Sequence, residues 1–421
     1  MTTQNYADLV QADRVHTSLY TCPEIFEVEM RKIFENTWVW VAHESEVPEA
    51  GSYKNTFIGK QPVIVVRDRK GEIRVLLNRC RHRCATVCEG KKGKTQSFVC
   101  PYHGWAFGLD GSLRSVPYEA SYGPEGLDKS KLPLPGLRVE SYQGMVFATF
   151  RDDLCSLSDW LGPAKKWMDL FMKQGAGFGI SVPGEQRFRF PGNWKIQLEN
   201  TTDAYHFPLV HKSFLTTLDP QALKTFSFME GDGFVEDLGN GHSVMVMIPE
   251  LVDLEADLDK IIPDRFRDLA DDLRAEGYDD LTVRKIVRAV GGTGFNLNIF
   301  PNIACSMAFF RVLRPVSVEE TEIHHAVINM KNGPVIANQM RLRLHEYFQG
   351  PLGFGTPDDG EAWCRVQAGV HASGKTEEDK WLMVNRGLPI ETVGVDGPRS
   401  DLTAETGMRA AYRQWQKMMG A

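Results

Sequence analysis

The chain has 421 residues, about three times a common domain length, so two or three domains are expected and a single small module is excluded. Lys and Arg number 48 against 55 Asp and Glu, a net charge of −7, which argues against the basic face that nucleic acid requires. Hydrophobic residues at 42% and charged residues at 24% are ordinary globular values and exclude a disordered or collagen-like chain. No apolar run approaches the roughly 18 residues of a membrane span, and the first residues show no basic-then-apolar secretory signal, so a cytoplasmic protein with no membrane partner is expected.

In chain order, residues 1–37 are expected to be helical, because Ile25, Phe26, Val28, Met30, Ile33 and Phe34 recur at helix-face spacings. Residues 38–155 change character. Short β-rich segments (QPVIVVRD, GEIRVLLN and GMVFATF) alternate with Gly and Asp turns and predict a small all-β domain built from hairpins. Within it, residues 118–134 are rich in Gly, Pro, Ser and Lys and read as a long loop. Residues 156–421 mix the two patterns. Helices are expected over residues 252–277, interrupted by Pro263, and over LTVRKIVRAV. PNIACSMAFFRVLRP and EETEIHHAVINM read as two strands, paired antiparallel across a short turn. Met408, Ala411, Tyr412, Trp415 and Met418 mark a C-terminal amphipathic helix capped by Asp401 or Thr403. The fold class is therefore α+β: a small β domain, then a larger mixed domain with an antiparallel sheet.

Eight cysteines are present, and Cys80, Cys84, Cys88 and Cys100 fall within 21 residues. Histidines interleave with them: Cys80-x-His82, seventeen residues, then Cys100-x-x-His103. Zinc accepts such a Cys₂His₂ set tetrahedrally. A [2Fe–2S] cluster with two Cys on one iron and two His on the other is the Rieske arrangement. Zinc sites usually pair like with like within a loop. Here each loop supplies one Cys and one His, which favours the cluster. Cys84 and Cys88 read as structural, since four ligands are already present.

A second dense run is Asn193-Trp194-Lys195, Glu199-Asn200, Asp203, Tyr205-His206 and His211. On a continuous helix Glu199, Asp203 and His206 form one stripe. His211 faces away unless Pro208 ends or kinks that helix and swings it back. Two His plus one carboxylate, with open positions, suit a non-haem Fe(II) that binds O₂. The third ligand stays open between Asp203, Glu199 and a distant acid such as Asp358 or Asp359.

Together these motifs resemble the catalytic α subunit of the Rieske non-haem iron aromatic ring-hydroxylating oxygenases, and the resemblance covers nearly the whole chain. It is nearest the group acting on benzoate-like or anthranilate-like aromatic acids. It implies a Rieske [2Fe–2S] cluster on Cys80, His82, Cys100 and His103 in residues 38–155. It also implies a helix-grip catalytic domain in residues 156–421, with residues 1–37 packing on that domain. The segment Gly350-Pro351-Leu352-Gly353-Phe354-Gly355-Thr356-Pro357-Asp358-Asp359 resembles the one that supplies the third iron ligand, and Asp359 matches the ligand position. By the same resemblance, Asn200 lies near the iron. Asp203 bridges a cluster histidine of one subunit and an iron histidine of its neighbour, which requires a head-to-tail trimer (α3, or α3β3 with a small β subunit). An NADH-dependent reductase, with or without a ferredoxin, O₂ and a small aromatic substrate complete the system in the bacterial cytoplasm, and the expected product is a cis-dihydrodiol. One departure is visible, since relatives commonly show Cys-x-His-Arg-Gly where this chain has Cys84 after Arg83. A monooxygenase or demethylase on the same scaffold is the alternative. A Rieske electron carrier and a zinc protein are rivals of other classes.

Of the remaining residues, His324 and His325 sit on a strand and point to opposite faces, while His43, His242, His345 and His371 have no partner at ligand spacing. The acidic stretch 253–280 reads as a solvated helix face. Arg311 shares strand parity with Ile303, Cys305, Met307 and Phe309; a lone Arg on an apolar face wants an anion, and an aromatic carboxylate is one candidate.

Overall fold

The computed structural model describes residues 6–218, 220, 223, 229, 231–252, 265–372 and 374–420. It divides into two compact units, Phe34–Leu157, and Met1–Ile33 together with Ser158–Ala421.

The first unit is β throughout. Ser52–Ile58, Gln61–Arg67 and Ile73–Leu77 form an antiparallel meander, with Lys92–Lys94 on its edge. Residues 52–58 alternate buried and half-buried, as a strand with one face on a core must. Val39–His43, Arg138–Tyr142 and Met145–Thr149 form a second sheet, and three short strands, Phe98–Val99, Ala106–Phe107 and Leu113–Ser115, a third. Ile64, Val66, Leu76, Phe98, Trp105, Phe107 and Leu113 pack into one core, and Cys80 and Cys100 belong to it. Burying each large apolar side chain there contributes about 1.5–3 kcal/mol.

The second unit is built on a sheet of nine strands among the described residues. Their order is Ile180–Phe190, Glu320–Met330, Phe309–Ser317, Ile303–Ser306, Phe295–Ile299, His242–Val246, Phe234–Gly239, Pro398–Asp401 and Thr392–Val393. Residues 301–315 form a tight hairpin rather than one strand. The chain turns at Met307, whose φ is 45°, and Ser306 pairs with Phe309. Arg311 therefore shares its face with Ala304, Ser306 and Phe309, not with Ile303 and Cys305. Register lines up Gln186, His325, Arg311, Ala304, Asn298 and Ser243 across six strands. Val327, Phe309, Ser306, Asn296 and Met245 form the next row on the same face. From these rows Arg311, Phe309, Ser306, Asn296 and Met245 line the cavity described below.

Near the N-terminus, Pro23–Glu29 is helical as expected and continues through a π-turn over Met30–Phe34. It is preceded by a strand, Arg14–His16, paired with Trp381–Met383. Three residues are too few for a period to show in sequence. Of the helix expected over 252–277, Arg265–Ala275 is present; Pro263 and residues 253–264, with much of the acidic stretch, lie outside the described residues. The C-terminal helix is Thr406–Gly420, later than either expected cap, because Asp401 ends a strand and its Oδ1 accepts from Thr403 N (2.9 Å) instead. No helix among the described residues is long and apolar enough to cross a membrane.

One buried ion pair ties the helices of this unit together. Glu29 (0% exposed) accepts from Lys195 Nζ (2.7 Å), Trp415 Nε1 (2.7 Å) and Trp194 Nε1 (2.9 Å). Buried charge is tolerated only when paired and hydrogen-bonded, and here it links the N-terminal helix, the Trp194–Thr201 helix and the C-terminal helix. Lys195→Met strands the Glu29 carboxylate without a cation and is expected to lower unfolding free energy by about 3–5 kcal/mol. In chemical denaturation the double variant with Glu29→Gln should recover most of that loss; an unchanged midpoint for Lys195→Met would contradict the role.

Candidate metal centres

The first constellation is one turn used twice. Cys80 N–H donates to Ala85 O (2.8 Å) and Cys84 N–H to Cys80 O (3.2 Å). Twenty residues on, Cys100 N–H donates to Trp105 O (2.8 Å) and Gly104 N–H to Cys100 O (3.0 Å). The fifth residue of each turn is left-handed, Cys84 at φ 64° and Gly104 at φ 71°. The turns hold their cysteines in the core, and burial, followed by the neighbouring Cys100, raises the Cys80 thiol. The histidines stay at the surface, His82 Nδ1 lying 3.2 Å from His103 Nδ1, with the His82 ring stacked on Trp105 at 5.0 Å. Two sulfurs thus pair inside and two imidazole nitrogens outside, each loop giving one of each. That donor set fits a Rieske cluster. Cys88 packs against the same core, and its carbonyl accepts from Asn55 and Asn78.

The second constellation is assembled by interruptions of helix. Asn193 caps the Trp194–Thr201 helix, its side chain accepting from Lys195 N (3.1 Å). The helix stops at Thr201, where Thr201 Oγ1 donates to Gln197 O (3.1 Å) and Thr202 Oγ1 to Glu199 O (2.8 Å). The expected stripe of Glu199, Asp203 and His206 is therefore not formed. The Glu199 carboxylate accepts from the hydroxyls of Tyr20 and Tyr412, where burial lifts it to about 7. Pro208 also acts differently from expectation. It sits in the first turn of a short helix, Phe207–Val210, where its missing N–H is no loss, so it helps to start a helix rather than end one. His206 and His211 flank this helix, with ring centroids 5.3 Å apart.

The carboxylate that meets them is on the Gly355–Val370 helix. Asp359 Oδ1 lies 3.3 Å from His206 Nε2 and 3.2 Å from His211 Nε2, and accepts from Asn200 Nδ2 at 3.1 Å. Among the described residues, His206, His211 and Asp359 are the one group of three whose potential ligand atoms all lie within 4.8 Å of one another. Behind each imidazole stands another acid, Asp203 Oδ2 at 3.2 Å from His206 Nδ1 and Asp358 Oδ2 at 3.7 Å from His211 Nδ1. The Asp203 contact is a hydrogen bond and leaves His206 Nε2 for a metal, as second carboxylates do in many metal sites, whereas the 3.7 Å Asp358 contact is not one. Burial opposes ionisation of Asp359, yet the two imidazoles hold it well below the usual carboxylate range. Burial likewise opposes protonation of His206, which Asp203 and Asp359 nevertheless raise to about 9. The pocket is built to surround positive charge, and two His with one carboxylate match non-haem Fe(II) with open positions.

Beside the triad lies a cavity of about 210 Å³, walled by Met245, Met247, Phe309, Leu344 and Phe348, with few polar groups. Arg311 reaches it, donating Nε to His325 Nε2 (3.0 Å) and Nη2 to Gln349 Oε1 (2.6 Å). His324 turns to the other face, onto Glu322 (2.8 Å). His43, His242 and His371 lie elsewhere with local partners. His345 is different. It lines the cavity from the Val335–Phe348 helix, and no spacing in the sequence signals it.

Residues 37–142 match the Rieske [2Fe-2S] domain, and residues 180–421 the catalytic domain of ring-hydroxylating α subunits. The chain is 31% identical to the large subunit of anthranilate 1,2-dioxygenase from Acinetobacter baylyi, covering 96% of this chain and 89% of that one. It is also 31% identical to the α subunit of toluate 1,2-dioxygenase from Pseudomonas putida, over 86% and 80%. The solved naphthalene 1,2-dioxygenase with indole bound in its active site superposes with a TM-score of 0.81 at 27% identity, over 100% and 95%. Fold and donor sets define a Rieske-type iron oxygenase carrying a [2Fe–2S] cluster and a mononuclear iron. The chain belongs to the ring-hydroxylating α-subunit family, and dioxygenation of an aromatic ring is favoured over the demethylase, electron-carrier and zinc readings.

Cys84 holds a backbone conformation that disfavours a side chain, in the turn whose twin uses Gly104. Cys84→Gly should stabilise the first unit by about 1 kcal/mol, read as a later thermal loss of the cluster's visible absorption. An earlier loss would show that Cys84 contributes a contact outweighing its strain.

Proposed function

We propose that this chain is the terminal oxygenase of a multicomponent Rieske system that cis-dihydroxylates a small aromatic carboxylate. The observation that carries the reading is the meeting of His206, His211 and Asp359 beside an apolar cavity, in a chain that also carries the paired cysteine–histidine turns. Residues 38–155 serve as the cluster domain, residues 156–421 as the catalytic domain, and residues 1–37 pack on the latter. Cys80, His82, Cys100 and His103 would hold the cluster, and His206, His211 and Asp359 the iron. When bound, these groups supply single electrons and a Lewis-acidic centre for O₂.

The chain's own residues supply position and proton control. Asn200 fixes the Asp359 carboxylate through its Nδ2–H. Asp203 holds the proton on His206 Nδ1 and so keeps Nε2 free for metal; its Oδ1 accepts from Tyr205 N (2.6 Å), which fixes the carboxylate plane. The Met and Phe walls exclude water and seat a flat ring. About a fifth of the Asp203 side chain remains exposed, which leaves an edge for a cluster histidine of a neighbouring subunit in a head-to-tail trimer. The relatives' names, "large subunit" and "large oxygenase component" of a "system", support a smaller subunit and further components, which we read as a β subunit and an NADH-dependent reductase with or without a ferredoxin. The bacterial cytoplasm suits a chain whose described cysteines are all free and whose cluster needs reduced thiols.

With a surrogate reductase, oxygen uptake should be coupled to NADH oxidation and to a dihydrodiol product on an aromatic acid. Uptake that no aromatic compound stimulates would overturn the reading. Asp203→Asn should keep both metal signals and lose turnover by at least about 100-fold, while near-normal turnover would remove Asp203 from the electron path.

A further inference from the structure

Two buried guanidinium groups line the cavity, and they are bonded differently. Every nitrogen of Arg341 has an acceptor, Nη1 donating to Ala289 O, Nε to Ile328 O (3.3 Å) and Nη2 to Gln174 Oε1 (3.0 Å). Arg311 (4% exposed) spends Nε on His325 and Nη2 on Gln349, both neutral, while its Nη1 meets no acceptor among the described residues. Buried cations are normally paired. The one acid among the described residues whose charge acts on Arg311 is Asp359, which is already committed to His206 and His211.

His345 shows the complementary vacancy. Gln186 Nε2 donates to Glu346 Oε1 (2.5 Å), so Gln186 Oε1 faces His345 Nε2 (3.4 Å) as acceptor, and the proton of His345 sits on Nε2. Burial and the nearby Arg311 keep this imidazole neutral, pushing it down to about 4. Its Nδ1 is therefore a bare acceptor, buried and without a partner. Such a group costs about 1–3 kcal/mol unless something supplies a donor. Phe309 lies between the two, with the Arg311 Cζ 5.5 Å from its ring and the His345 ring 4.8 Å away.

We infer that Arg311 receives the carboxylate of the substrate and His345 Nδ1 accepts from a protic ring substituent, so that the cavity selects an amino- or hydroxy-substituted aromatic acid. This rests on the reading that the cavity holds the aromatic substrate. The two residues act as specificity determinants, with Phe309 as the ring contact between them.

The test is calorimetric binding to the intact metal-loaded protein, with 2-aminobenzoate, benzoate and methyl 2-aminobenzoate as probes. Wild type should bind 2-aminobenzoate at least tenfold more tightly than either of the others. Arg311→Gln should abolish the preference for acid over ester, and Arg311→Lys should retain part of it. His345→Phe should abolish the preference for 2-aminobenzoate over benzoate while leaving acid over ester intact. Equal binding of acid and ester by wild type, or an Arg311→Gln protein that still discriminates, overturns the Arg311 assignment, and the wild-type comparison stands even if a variant fails to fold. Equal binding of benzoate and 2-aminobenzoate by wild type overturns the His345 assignment. Because binding is read without turnover, failure here is separable from failure of the oxygenase reading, which shows as absent oxygen uptake.

Discussion

Asp359 Oδ1 is the point at which three separately folded pieces of chain meet. Two imidazole Nε2 atoms and one amide nitrogen lie within 3.3 Å of this single, buried oxygen. Against the effect of burial, Asp203 and Asp359 together favour the protonated form of His206, so the site as folded already draws positive charge toward the carboxylate. His206, His211 and Asp359 would hold Fe(II) with two neutral nitrogens and one oxygen, and Asp203, hydrogen-bonded to His206 Nδ1, sets the orientation of that ring. The surrounding architecture serves that convergence. The Trp194–Thr201 helix is locked by the buried Glu29–Lys195 pair, so Asn200 on its last turn is held to a fixed position. The hairpin at Met307 brings Phe309 and Arg311 onto the wall of the cavity that also borders His206, His211 and Asp359.

The cluster turns solve a different problem. A thiolate ligand must be shielded from solvent, whereas the histidine side of a Rieske cluster must remain reachable by a redox partner. A tight turn that buries its first residue and exposes the histidine two or three residues later does both. Using it twice places the sulfurs in the core and the imidazoles outside. The left-handed residue that closes each turn is a geometric requirement, and at Cys84 this chain meets it without glycine.

What could be read from the residues alone follows sequence distance. The cysteine–histidine turns are local, so spacing announced them, and the hairpins at 61–67 and 73–77 showed their strands through alternation and turn residues. The candidate iron triad was only half legible. His206 and His211 stood out, but Asp359 lies 148 residues beyond His211 (359 − 211 = 148), a separation that no periodicity spans. Family resemblance supplied what spacing could not. The helical stripe through Glu199, Asp203 and His206 failed because two threonine hydroxyls compete for the carbonyls that would continue the helix. Pro208 was read as a stop, although its position two residues after a helix cap makes it a start. His345 stayed silent because its meaning lies in Gln186 and Glu346, whose orientation only the fold reveals.

The central claim is that Asp359 completes an iron site distinct from the cluster. Mössbauer spectroscopy with iron quantitation on wild type and Asp359→Ala tests it most directly. The account predicts about three irons per chain in wild type, two in the cluster and one high-spin ferrous, with loss of that one alone in the variant. A variant that keeps all three irons, or that loses the cluster while retaining the mononuclear signal, would contradict it.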